Sequence, residues 1–196
     1  MEAPATLRAR KAVMWTREDC RKLEGMGLLP ERWELVQGEI ISKMGTNLPH
    51  SMIFQRINVW LMGVFPSNCI LPTCGIDVAP EDNSTSEPEP DITVLNRPAG
   101  ELGRNPMSGD IALLIEVSNT TLDHDLGSKA QLYAQAGIAE YWLNRTTRRV
   151  CRSKKWTYVE STAYKLFATS NCPQVIDSTF EESFSPTDSR RWPYFS

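Results

Sequence analysis

The chain has 196 residues, 41% hydrophobic and 23% charged, with a formal net charge of −3 and a pI of about 5.5. That length suits one domain with a real core and is too short for two of ordinary size. The charge excludes a protein that grips nucleic acid over its whole surface, although a local basic groove stays open.

No apolar run approaches the roughly 20 residues that a membrane span needs, and the polar, basic N-terminus lacks the apolar core of a signal peptide. The expectations are therefore no membrane partner and a cytoplasmic location. The five cysteines (Cys20, Cys69, Cys74, Cys151 and Cys172) form no Cys-x-x-Cys pair and read as free thiols in a reducing compartment. With only His50 and His124 as imidazoles, a structural zinc site is disfavoured.

In chain order, residues 1–15 read as a flexible arm, 16–167 as a single α/β domain and 168–196 as an irregular tail. Thr16 and Asp19 have the spacing of a capping box opening a helix to about residue 26, stopped by Gly25 and Gly27. Residues 33–36 and 39–44 flank Gln37-Gly38 and predict a hairpin. Ile53, Ile57, Leu61 and Val64 recur at helical spacing after Pro49 and His50, and Pro66 ends that helix. A strand is expected over 69–78, then an exposed acidic loop over 79–90, then strands over 91–95 and 111–118. Residues 125–136 predict a helix closed by Gly137, with Asp125, Lys129 and Tyr133 in line. Residues 139–144 and 148–152 read as a strand pair about Thr146-Thr147, and a further strand starts near Trp156. The order helix, strand, strand, strand, helix, strand, with an added N-terminal helix and hairpin, gives a mixed α/β fold with a central sheet flanked by helices.

The chemistry concentrates between residues 87 and 129. Glu116 follows five apolar residues, and an ionised carboxylate at such a place is costly unless it is paired or binds a metal. Asp91 opens the neighbouring expected strand directly after Pro90, a position where proline is tolerated. Convergence of the two would offer hard oxygen ligands of the kind Mg²⁺ takes, with Lys129 following on the next helix. Arg145, Arg148, Arg149, Arg152, Lys154 and Lys155, beside Trp156, form the strongest basic patch; it reads equally as a phosphate track or as a charged strand edge.

Taken together these residues resemble the PD-(D/E)XK nuclease superfamily, and more closely its Uma-two-type restriction-endonuclease-like family. The matching pieces are Glu34-Leu35-Val36-Gln37-Gly38-Glu39, His50, Glu87-Pro88-Glu89-Pro90-Asp91, Ile115-Glu116-Val117-Ser118, Asp125 with Lys129, and residues 133–142 from Tyr133 to Trp142. The resemblance implies a restriction-endonuclease-like core and a Mg²⁺-dependent endonuclease acting on DNA, with Mn²⁺ as a possible substitute and no organic cofactor. It also implies a homodimer. Asp91, Glu116 and the Val117 carbonyl would hold the metal, with Lys129 and Glu34 catalytic and His50, Asp125 and Tyr133 toward substrate. The superfamily's usual lysine lies two residues after the acidic residue; that position here is Ser118, and Lys129 stands in its place. Two alternatives remain on the residues alone: a catalytically silent nuclease-fold module that binds nucleic acid or protein, and an unrelated α/β protein whose Glu116 and Lys129 merely pair in the core.

Overall fold

The computed structural model describes residues 13–43, 47–118, 121–150, 157–169 and 172–179, the backbone alone from 146 onward. Helix α1 (Arg17–Gly25) opens on Thr16. Its hydroxyl accepts the Asp19 N–H while the Asp19 carboxylate accepts the Thr16 N–H, so two orphan donors are satisfied at once. Strands β1 (Trp33–Val36) and β2 (Glu39–Ser42) form the expected hairpin. Gln37 and Gly38 both have positive φ, 49° and 79°, as the twist of a two-residue hairpin demands. A Cβ on Gly38 would also come within 2.8 Å of the Met14 Cβ.

Helix α2 (Leu48–Met62) is capped by the Asn47 side chain, which accepts the His50 N–H. It buries Ile53, Ile57 and Leu61, as their spacing predicts. Val64 lies beyond the helix end and is exposed, not on the buried face expected for it.

The main sheet runs in the order β3 (Ile70–Pro72), β4 (Ile92–Leu95), β5 (Ile111–Ser118), β6 (Glu140–Val150), β7 (Thr157–Thr169) and β8 (Cys172–Thr179). Among the described residues, only β5 and β6 are parallel neighbours. A parallel pair needs a crossover. It is built here from α3 (Leu122–His124), a π-helical turn (Asp125–Lys129) and α4 (Ala130–Gln135), ended by Gly137 at φ 79°. Alternate residues of β5 serve two cores: Leu113, Ile115 and Val117 pack with α2, and Leu114 packs with Leu132 and Tyr133 of α4. The expected mixed α/β architecture is present: a helix, three antiparallel strands, a helical crossover and a parallel strand.

Several local expectations differ. The strand expected over 69–78 ends at Pro72, because Thr73 turns the chain at φ 43° and the following amides bond to loops, Ile76 N to Pro88 O and Asp77 N to Pro106 O. The acidic loop over 79–90 is packed rather than exposed. Ser86, Pro88 and Pro90 are buried, Glu87 bridges Leu35, and the Arg17 guanidinium binds Ser86 O, Asp77 and Asn83. An arginine distant in sequence supplies the donors that this polar segment lacks locally.

The chain does not turn at Thr146-Thr147. Strand β6 continues to Val150 and pairs with β7 along its length, from Glu140 opposite Phe167 to Val150 opposite Thr157. The crossover helix starts at Leu122, earlier than expected, and carries the π-turn. Strand β8 falls in the stretch read as an irregular tail and extends the sheet by pairing with β7. Of the basic patch, Arg152, Lys154, Lys155 and Trp156 lie outside the described residues, as do 1–12 of the arm and 180–196 of the tail. Among the described residues, Cys20, Cys69 and Cys74 are free thiols, and no helix is long and apolar enough to cross a membrane.

Candidate active site

The site forms where β4 and β5 end side by side. Ile92 pairs with Ile115, so one further step of the antiparallel register sets Asp91 opposite Glu116. The Asp91 Oδ2 accepts the Val117 N–H at 2.8 Å and lies 3.2 Å from His50 Nε2 at the start of α2. Burial pushes the Asp91 carboxyl up, but the His50 hydrogen bond, Lys43 and the Val117 N–H outweigh it and hold the group below its ordinary value. His50 therefore meets Asp91, where the sequence expectation was a substrate contact.

Glu116 projects toward the crossover helix. Its Oε1 lies 2.5 Å from Lys129 Nζ and 3.3 Å from the Tyr133 hydroxyl, which donates to it. Lys129, only 1% exposed, also donates to both oxygens of Glu34, at 3.1 and 2.9 Å. Glu34 reaches the site from β1 and accepts the Glu89 N–H at 3.1 Å, which fastens the hairpin to the segment leading into Asp91. Asp125 and Lys129 are both buried.

The charges do not balance in this pocket. Burial pushes Glu116 up to about 8; Lys129 opposes the shift, and Asp91 and Asp125 add to it. Burial also pushes Glu34 up, but Lys129 and Lys43 prevail and hold it low. Asp125 is raised by burial despite Lys129 and the hydroxyls of Thr121 and Ser118, the first of which donates to it at 2.6 Å. Burial depresses Lys129, but Glu116, Glu34 and Asp125 overcome it and keep the ammonium protonated. Three carboxyl groups, Glu116, Glu34 and Asp125, thus act on one buried ammonium, and Asp91 adds a fourth acidic group beside Glu116.

The donor set fits a hard divalent cation. Among the described residues no three His, Cys, Asp or Glu side chains stand ready as a metal cluster. Two carboxylates completed by a backbone carbonyl and water are the usual way of holding Mg²⁺. Asp91, at 7% exposed, is the least buried of the four carboxyl groups, whereas Tyr133, expected to meet substrate, is 0% exposed. Asp125 is likewise buried, its backbone carbonyl accepting the Tyr141 hydroxyl at 3.2 Å.

One residue of this environment was not singled out from the sequence. Lys43, just past β2, donates from Nζ to the Glu89 carbonyl and acts on the charges of Glu34, Asp91 and Glu116. Its place in the hairpin next to Glu34 was the available signal. A cleft of about 430 Å³ is lined by Arg21, Arg32, Trp33, Glu87 and Glu89, and its lining does not include Asp91, Glu116 or Lys129.

A family model described as "Putative restriction endonuclease", Uma2, matches residues 18–182. The chain belongs to the Uma2 family. The match reaches past β8 and takes in the hairpin, both site strands and the crossover helix of this Uma2 chain. A crystal structure described as that of "a putative nuclease belonging to DUF820" from Anabaena variabilis is similar at 21% identity, covering 70% of this chain and 83% of that one, with a TM-score of 0.42. No curated protein matches the Uma2 chain.

Proposed function

We propose that this chain is a metal-dependent endonuclease that hydrolyses DNA phosphodiester bonds. The observation that carries the reading is the meeting of Asp91 and Glu116 at the ends of adjoining strands, with Lys129 on Glu116, in a chain of a family whose model is described as "Putative restriction endonuclease". Asp91, Glu116 and the Val117 carbonyl would hold Mg²⁺, with Mn²⁺ as substitute. The bound ion would supply an activated water and neutralise charge developing on the phosphate.

Lys129 contributes a fixed ammonium, a point charge suited to the phosphoryl oxygens. Glu34 holds that ammonium in the site through both of its carboxylate oxygens. His50 orients Asp91 through Oδ2, a supporting contact of the kind that fixes ligating carboxylates. Tyr133 and Asp125 act from the buried side, the first by a hydrogen bond to Glu116 and the second by its charge. DNA would approach from the Asp91 edge, and a second copy of the chain would bring a second such site to the duplex.

The test is cleavage of plasmid DNA with Mg²⁺ or Mn²⁺. The wild-type chain should nick or linearise it, and Asp91→Ala and Glu116→Ala should each abolish the reaction. Cleavage that survives both substitutions rules out this site.

A further inference from the structure

Lys129 is a buried ammonium with two carboxylate partners, and only one of them belongs to the proposed metal pair. It sits 2.5 Å from Glu116 Oε1 and is gripped by both oxygens of Glu34. From this geometry we infer that Lys129 is a built-in counter-ion: it occupies Glu116 when no metal is bound, competes with the divalent cation for that carboxylate, and is retained by Glu34 when the cation takes it. Glu34 is then a positioning residue for Lys129 and not a metal ligand. The inference rests on the metal reading given above.

The physical need is plain. Glu34, Asp91, Glu116 and Asp125 are all buried, and carboxylates gathered in low dielectric repel one another strongly. A chain that must fold before it meets metal needs a cation of its own in their midst, because stripping one partner from a buried ion pair is strongly destabilising. The same cation must give way without leaving the site. Glu34 provides for this, because its carboxylate is anchored independently by the Glu89 N–H at 3.1 Å and stays in place whichever partner Glu116 takes.

Two substitutions with opposite expected signs test the arrangement, read by Mn²⁺ calorimetry and by the Mn²⁺-induced rise in melting temperature. Lys129→Met removes the competitor, so Mn²⁺ should bind at least about tenfold more tightly than in wild type while the metal-free protein melts earlier. Glu34→Gln leaves Lys129 with Glu116 as its only charged partner within ion-pair distance among the described residues, and Mn²⁺ affinity should fall. Asp125→Asn is the control: it also removes a buried negative charge near Lys129 but no direct ion pair, so its loss of affinity should be smaller than that of Glu34→Gln. If Lys129→Met does not fold, the comparison of Glu34→Gln with Asp125→Asn decides alone. Equal Mn²⁺ affinity in Lys129→Met and wild type, or equal losses in Glu34→Gln and Asp125→Asn, would overturn the counter-ion role while leaving the metal site standing. Absence of Mn²⁺ binding in every variant and in wild type removes the metal reading itself, and the counter-ion role with it.

Discussion

Asp91 Oδ2 accepts the backbone N–H of Val117 at 2.8 Å, so the carboxylate at the start of β4 is tied to the residue that follows Glu116 on β5. That bond turns a proximity of two strands into a fixed distance between two acidic groups. After the His50 hydrogen bond and Lys43 it also helps to hold the buried Asp91 carboxyl below its ordinary value, since a carboxylate that accepts hydrogen bonds from fixed donors is favoured in its charged form.

The second support of Asp91 is His50, and its loss should be visible in metal affinity. His50→Ala removes the contact at 3.2 Å and leaves Asp91 Oδ2 with the Val117 N–H among its described partners. Loss of a group that orients a ligating carboxylate costs about 10- to 100-fold in metal affinity or activity. The expected result is a drop of that size in Mn²⁺ affinity, partly restored by His50→Gln. An unchanged Mn²⁺ affinity with a raised KM for DNA would return His50 to the substrate.

Tyr133 separates two roles in a similar way. Its hydroxyl is fully buried and donates to Glu116 Oε1 at 3.3 Å. Tyr133→Phe should therefore lower unfolding free energy by about 1 kcal/mol, the net worth of an ordinary hydrogen bond, and change cleavage by less than about tenfold. A denaturant titration gives the first figure and a plasmid assay the second. A large rise in KM without a change in stability would contradict the buried position.

Much of this site was legible in the sequence because its signals are local. Pro90-Asp91 announces a strand start, Glu116 is conspicuous after five apolar residues, and Lys129 follows at helical spacing from Asp125. What was not legible depends on partners far away in the chain. Residues 79–90 look like a solvated loop until Arg17 supplies the donors that allow Ser86 to be buried. Thr146-Thr147 looks like a turn because both residues are polar, yet β7 lies alongside and continues the ladder through them. The partnership of Glu34 with Lys129 spans 95 residues, and no spacing rule reaches that far.

Asp110 gives a prediction about acid stability well outside the site. It lies just before β5, almost fully buried, ion-paired with Arg97 and Arg104 and accepting the Met107 N–H at 3.1 Å. Burial pushes its carboxyl up, but the hydrogen bonds from Arg104, Met107 and Arg97 outweigh that and hold it below the ordinary value. A depressed folded-state pKa contributes stability that is present above the unfolded value of about 3.9 and is lost as pH falls through the lower, folded value. Asp110→Asn should accordingly cost about 1–3 kcal/mol at neutral pH, the worth of hydrogen bonds to a charged group. The gap between variant and wild type should close below about pH 4. Urea unfolding at neutral and acid pH measures it; a gap that widens toward acid would reverse the sign of the argument.

The π-helical turn Asp125–Lys129 supports the last expectation, because it sets where Lys129 points. A π-turn is an α-helix with one residue inserted, and such turns are commonly retained where a side chain must be aimed. Gly127 sits in its middle with no positive φ, and a Cβ added there would meet nothing within 4 Å. Gly127→Ala should therefore raise stability by about 0.5–1 kcal/mol, through the lower entropy of the unfolded chain, and leave the site intact. Deleting Gly127 is the opposite experiment. Closing the turn to α-helical geometry would rotate Asp125 and the residues before it relative to Lys129 by about 100°, one residue's share of a turn of 3.6. Either the Tyr141–Asp125 contact at 3.2 Å or the Lys129–Glu34 pair must then break. The deletion variant should melt well below wild type and lose cleavage, while Gly127→Ala melts above it and keeps cleavage. Equal melting temperatures for the two would mean that the extra residue of the turn has no part in placing the lysine.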